Sequence, residues 1–314
     1  MTYKKHLYFL LSLITGLVLI YTASMIFDSE HSGARSASYS LLDSKLSSKI
    51  DRITISDSEE IKELVKKNGQ WFALNEGKDY PARQLRVEDF IGILSGRAAY
   101  PVRSTSASSH ERLGLGEEAA SRVTVYAGNS TLLDLLLGNE DITGQEIYLR
   151  KYGQTEVRSG NNKIFSYAAD SINSWYNLRL IPESEDGKFD IGSIQRVSVY
   201  TQDEAQIFSR KNKEWIVSGI YVGSPNQNSI DSYVRSILNA EGADFDDSIT
   251  SSDTELNNTR IVLEFGNGKD RVIRLSGGDE SGRRLAHVSG SEYIYSLPAW
   301  AAQRLFKTAA DFEK

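Results

Sequence analysis

The chain contains no cysteine. That removes disulfide frameworks, thiolate metal sites, cysteine nucleophiles and any lipid anchor attached through cysteine, a bacterial lipoprotein anchor included. Histidine is scarce, with four residues in 314. His6, His31, His110 and His287 are scattered, and none has a second ligand at the i+2, i+3 or i+4 spacing that zinc or a facial triad usually shows. No metal site and no cofactor is expected. A basic excess is missing too: net charge is −6 with no Lys/Arg stripe, which argues against a nucleic-acid partner, because neutralising phosphates needs clustered cations. There is no Gly-x-Ser-x-Gly elbow and no phosphate-cradling loop ending in Gly-Lys-Ser/Thr. Gly114-Leu115-Gly116 lacks the strand-then-helix setting and third glycine of a dinucleotide site and reads as a turn. No catalytic residue is assigned, and the chain is not expected to be an enzyme.

What is present begins with an apolar run. Leu7 to Phe27 holds no charged residue. As a helix it would span about 31 Å, which matches a hydrocarbon core of about 30 Å. Lys4 and Lys5 precede it, and Asp28 and Glu30 follow. Because cationic residues stay on the cytoplasmic side, residues 1–6 are expected inside and the C-terminal region outside the cytoplasm. Tyr8 and Tyr21 lie near its ends, where amphipathic rings favour the interface. The run is longer than the apolar region of a signal peptide, and Thr22-Ala23-Ser24 is a weak cleavage site, so an uncleaved single-pass anchor is the expectation. Residues 28–49 carry eight serines and no long apolar run, which reads as a spacer. Within it, Leu41, Leu42 and Leu46 have the spacing of a short amphipathic turn.

Beyond the spacer the sequence repeats itself. Residues 50–94 align without a gap on residues 194–238, and nine positions are identical. Ile50-Asp51-Arg52-Ile53-Thr54-Ile55 falls on Ile194-Gln195-Arg196-Val197-Ser198-Val199, Trp71 on Trp215 and Pro81 on Pro225. The order continues, with Ser121–Tyr126 resembling Thr259–Glu264, Asp141–Gly144 resembling Asp279–Gly282, and Ile164-Phe165-Ser166 resembling Ile294-Tyr295-Ser296. Such a period is domain-sized, so the pattern predicts a tandem duplication rather than a solenoid. In each copy β-branched strands are joined by a Lys-Asn turn to a Trp-bearing strand, then by a proline to an amphipathic helix. Val87, Phe90, Ile91 and Leu94 form the helical stripe of the first copy. A second strand set follows, Val123–Tyr126, Leu132–Leu137, Ile147–Arg150 and Ile164–Tyr167, and a helix over Ser171–Leu178 or Ala299–Thr308 closes each copy. The expected fold is α+β with mainly antiparallel sheets: a first repeat over 50–181, a linker over 182–188 and a second repeat over 189–314.

Among polar clusters, Glu140-Asp141, Asp244-Phe245-Asp246-Asp247 and Asp279-Glu280 hold paired acids but not the spacing of a calcium loop. They read as solvated loops, and the equivalence of Asp141 and Asp279 in the repeat points to a structural role. Trp71 and Trp215 have equivalent strand positions, which favours core packing over a stacking platform.

Several of these segments also resemble the domain of unknown function 4340 family. The resemblance rests on the anchor, Ile50–Ile55, Asn68-Gly69-Gln70-Trp71, Tyr80-Pro81-Ala82, Gly92-Ile93-Leu94, Leu113-Gly114-Leu115, Leu137-Gly138, Ile147–Arg150 and Trp175–Arg179. It covers nearly all of residues 50–181, and the second copy repeats it more loosely, departing at Ser224-Pro225-Asn226 and Leu275-Ser276-Gly277. The resemblance implies an accessory subunit of a cell-envelope ABC transporter in a bacterium, partnered by a permease or auxiliary protein and held in the inner membrane by its own anchor. It implies no catalytic residue. Two other readings stand beside it: an extracytoplasmic receptor for glycan or peptide, and an envelope hydrolase using paired carboxylates.

Overall fold

The computed structural model describes residues 14–15, 39–181, 191–201, 204–219, 226–250, 252, 259–266, 268 and 270–307. Among them no helix is long and apolar enough to cross a membrane. The expected anchor, Leu7–Phe27, lies outside them apart from Ile14 and Thr15, as do residues 1–6, His6, His31 and the expected linker 182–188.

The chain divides into two compact units, Met1–Trp175 and Tyr176–Lys314. In the first, strands β1 (Arg52–Ser56), β2 (Ile61–Lys67), β3 (Gln70–Asn75) and β4 (Lys78–Pro81) lead into helix α1 (Gln84–Ser95). Strands β5 (Val102–Ser104), β6 (Ser121–Ala127), β7 (Ser130–Glu140), β8 (Glu146–Lys151) and β9 (Val157–Asn161) follow, then helix α2 (Lys163–Ala169). They form one nine-stranded sheet in the order β4-β3-β2-β1-β6-β7-β8-β9-β5. Every pair in it is antiparallel. Alternation builds its core: Ile53 and Ile55 of β1 and Val123 and Val125 of β6 are fully buried, and the residues flanking the β1 isoleucines are half-buried. Val87, Phe90, Ile91 and Leu94 bury one stripe of α1, as the spacing predicts. Pro81 sits on an edge strand, where its missing N–H breaks no ladder.

The second unit holds β10 (Ile194–Tyr200), β11 (Ala205–Lys211), β12 (Glu214–Gly219), α3 (Gln227–Leu238), β13 (Asp244–Phe245), β14 (Arg260–Phe265), β15 (Arg271–Leu275), β16 (Arg284–Val288), β17 (Ile294–Leu297) and α4 (Ala299–Leu305). Its sheet order is β12-β11-β10-β14-β15-β16-β17-β13, the same path as the first unit without a counterpart of β4 among the described residues. Two antiparallel sheet units of one topology, each with a few helices, bear out the α+β class. The registers fix the equivalences: Ile55 pairs with Lys62 as Val199 pairs with Gln206, and Leu137 pairs with Leu149 as Leu275 pairs with Ala286.

Four expectations need correction. The spacer does not extend to Lys49: Tyr39 bridges Ala98, the Leu42 N–H donates to Leu94 O at 3.0 Å, and Leu41 and Leu42 are buried. Two adjacent leucines, exposed in a spacer, gain roughly 1.5–3 kcal/mol each by burial. The first repeat stops short of Ile181, since Leu180 donates to Ala240 O and Gly242 donates to Leu178 O within the second unit. Tyr176, Leu178, Leu180 and Ile181 are buried, with the Tyr176 ring 5.2 Å from Phe245. The expected strand Ile164–Tyr167 is helix α2, with Ile164 and Ala168 buried at i, i+4 spacing. It matches Ala301 and Leu305 of α4, and the strand Ile294–Leu297 instead matches β9. Finally, the expected closing helix Ser171–Leu178 is only a 3-10 turn over Ile172–Trp175.

Candidate functional site

The residues that the sequence singles out take structural posts. Trp71 and Trp215 are 1% and 3% exposed, so neither is a surface platform. Each has its backbone clamped by a glutamine at the start of the following helix. Gln84 Oε1 accepts from Trp71 N at 2.9 Å, and its Nε2 donates to Trp71 O at 3.0 Å. Gln227 does the same to Trp215 at 2.7 and 3.0 Å. The span from Trp to Gln is one residue shorter in the second unit, so an ungapped alignment misses this pair.

Asp141 and Asp279 organise the equivalent β7–β8 and β15–β16 turns. Asp141 Oδ1 accepts from the N–H groups of Gln145 and Glu146, and Asp279 Oδ1 from those of Ser281 and Arg283. Partial desolvation acts to raise the Asp141 carboxyl, but the Thr143 hydroxyl and the Glu146 and Gln145 N–H groups outweigh it and hold the pKa below the usual range. At Asp279 the Ser281 hydroxyl is the strongest cause of a lowered pKa, opposed by desolvation and helped by the Arg283 N–H. His110 Nε2 lies 3.0 Å from Thr155 O. Buried His287 replaces Arg150 of the first unit: Nε2 of His287 contacts Ser291 O as Nη1 of Arg150 donates to Gln154 O, each latching the turn after its strand. Gly114 is a left-handed cap against Asn139, where a Cβ would come within 2.3 Å of Asn139 Oδ1. Among the described residues no group of three or more His, Asp or Glu is placed to hold a metal ion.

The site that sequence reasoning missed lies in the second unit. A cleft of about 840 Å³ is bounded by Thr201 and Glu204 of the β10–β11 turn, Thr259, the β15–β16 turn and one face of α4. Such a volume falls within the ~300–1,000 Å³ of small-ligand pockets. Arg284 brings a cation into it, with Nη1 donating to Ser276 O at 3.2 Å and its guanidinium 5.9 Å from the Phe306 ring. Glu204 brings an anion. Neither has an ion-pair partner among the described residues. Gly282, which also lines the cleft, sits at φ +77°, and a Cβ there would come within 3.1 Å of Ala299, so a side chain at this position would be strained.

In the first unit the same place is filled from within. Lys62, 1% exposed, stands where Gln206 stands in the second unit. Its Nζ donates to Ala168 O at 2.7 Å and lies 3.3 Å from Asp57 and 3.1 Å from Glu60. Burial acts to raise the Asp57 carboxyl, but the N–H groups of Glu60 and Glu59 and the Lys62 ammonium lower it further, so it stays below the usual range. In the second unit the helix-end carbonyl is served from elsewhere: the Tyr233 hydroxyl of α3 donates to Leu305 O at 2.6 Å. Tyr233 replaces Phe90, which is why Lys62 can become Gln206 without orphaning that carbonyl.

No curated protein and no solved structure matches the chain. The family model described as a domain of unknown function (DUF4340) matches residues 71–259, more than half of the chain. The chain, with its duplicated antiparallel units, therefore belongs to the DUF4340 family.

Proposed function

We propose that this is a non-catalytic, membrane-anchored envelope protein, an accessory component of a bacterial ABC transporter that binds partner protein or cargo through its extracytoplasmic units. The observation that carries the anchor is Leu7–Phe27, charge-free over its whole length with Lys4 and Lys5 before it. The duplicated units beyond it support a binding role, because the second presents an open cleft lined by Glu204 and Arg284, neither with an ion-pair partner among the described residues. The transporter assignment rests on family resemblance. The turn acids Asp141 and Asp279 are engaged in organising backbone, which takes away the motive for a carboxylate hydrolase. Burial of Trp71 and Trp215 likewise removes the motive for an aromatic sugar platform.

Co-purification tests the reading. A tagged full-length chain, extracted in mild detergent after brief crosslinking in cells, should bring down an ABC permease in near-stoichiometric amount. Recovery only as a free chain would contradict it.

A further inference from the structure

The two units differ in composition where the β1–β2 turn, the turn after β7 and the last helix lie, compared with their counterparts in the second unit. The sheet registers and the burial pattern of the last helices align Gly277-Gly278 with Asn139-Glu140, Ala302 with Phe165, Arg284 with Ile147 and Gln206 with Lys62. Of these five residue exchanges, three delete bulk (Gly277, Gly278 and Ala302) and one, Gln206, removes an internal cation. Arg284 replaces a fully buried isoleucine with a guanidinium that lines the cleft. Glu204, the equivalent of Glu60, is kept. In the first unit that glutamate lies 3.1 Å from the Lys62 ammonium. The second unit thus keeps the carboxylate of an ammonium site, loses the built-in ammonium, and gains a cation elsewhere in the same cleft. A further sign is Gln206, two residues after Glu204: it is 3% exposed, its Nε2 donates to Ser218 O at 2.8 Å, and its Oε1 has no partner among the described residues. Buried acceptors are rarely left unmet.

We propose that the cleft of the second unit binds a short peptide with free ends, its ammonium on the Glu204 side, in the role that Lys62 plays within the first unit, and its carboxylate on Arg284. The guanidinium fork suits a carboxylate, and the opposed charge pair sets the direction of the ligand. The first unit is the self-filled copy and the second the open one. The proposal names a cargo for the binding role given above but needs neither the membrane anchor nor the permease.

The test uses full-length protein in detergent, immobilised and exposed to a random tripeptide library with free ends. Parallel libraries are N-acetylated, C-amidated or both, and a neutral oligosaccharide mixture is a further arm. Retained material is measured by mass spectrometry. Free-ended peptides should be retained at least tenfold above doubly blocked ones, and each single block should cost part of that. Glu204→Gln should erase the preference for a free ammonium, and Arg284→Gln the preference for a free carboxylate. Gln206→Lys, which restores the internal cation, should lower retention at least tenfold. Because that last variant buries a new charge, the two other variants stand by themselves if it fails to fold. Equal retention of blocked and free peptides, retention of sugar alone, no retention at all, or preferences unmoved by Glu204→Gln and Arg284→Gln would each overturn the proposal. None of those outcomes bears on permease co-purification, so the two readings fail separately.

Discussion

Paired glutamines carry much of the local order of both units. Gln84 and Gln227 each satisfy both backbone groups of a buried tryptophan, and Gln84 Nε2 also donates to Ala82 O at 3.0 Å. Leaving buried backbone groups unmet costs about 1–3 kcal/mol. Gln84→Ala or Gln227→Ala should therefore lower unfolding free energy by about 1–3 kcal/mol, and the glutamate variants by at least as much, because a carboxylate cannot donate to the tryptophan carbonyl. Denaturant unfolding followed by tryptophan fluorescence reads this, and a change within about 0.3 kcal/mol would refute the clamp. The tryptophans were legible as core from their repeated strand position. The glutamines were not, because one residue is missing between Trp215 and Gln227 relative to the first copy and an ungapped comparison sets Gln84 against Asn228. Lys62 was equally hidden, since a lysine on a strand is ordinarily solvent-facing and only the fold brings Ala168 O to its ammonium.

At the scale of elements, alternation and the i, i+3, i+4, i+7 stripe disclosed most strands and the first helix of each unit. The seven-residue α2 was misread as a strand because a short apolar run carries no decisive period; burial of Ile164 and Ala168 settles it in space. Turns were read better. Asp141 and Asp279, paired by the repeat, each gather the N–H groups that follow them and have lowered pKa values. A carboxyl whose folded pKa is depressed contributes stability that is present above its unfolded value, about 3.9, and lost as pH falls through the folded value. Asp57 and Glu146 carry the same sign; the Ser159 hydroxyl and Arg103 lower the Glu146 value. Denaturation midpoints of the full chain should fall as pH drops from about 5 toward 2. The double variant Asp141→Asn with Asp279→Asn should fall less steeply, since asparagine keeps a neutral acceptor at each turn. Parallel slopes for the two proteins would show that these turns are not titrating elements.

Over the whole molecule, the duplication was visible as an offset in sequence, and the two sheets follow it in strand order, β4 alone lacking a counterpart among the described residues. The cleft was not visible. Its lining includes Gly277, Gly278, Arg284 and Ala302, which are scattered along the chain and brought together only by the sheet and its last helix. Neither was the start of the first unit, because a serine-rich composition concealed Leu41 and Leu42. Function at this scale turns on whether Leu7–Phe27 carries the two units across a membrane. The absence of native cysteine makes that directly measurable. Single substitutions Thr2→Cys, Asn129→Cys and Glu292→Cys place one thiol before the apolar run and one in each unit. With a membrane-impermeant maleimide on intact spheroplasts, Asn129→Cys and Glu292→Cys should label fully, while Thr2→Cys should label only after lysis. Protection of the two unit positions until lysis, or release of the chain from membranes by an alkaline wash, would contradict a tethered extracytoplasmic module.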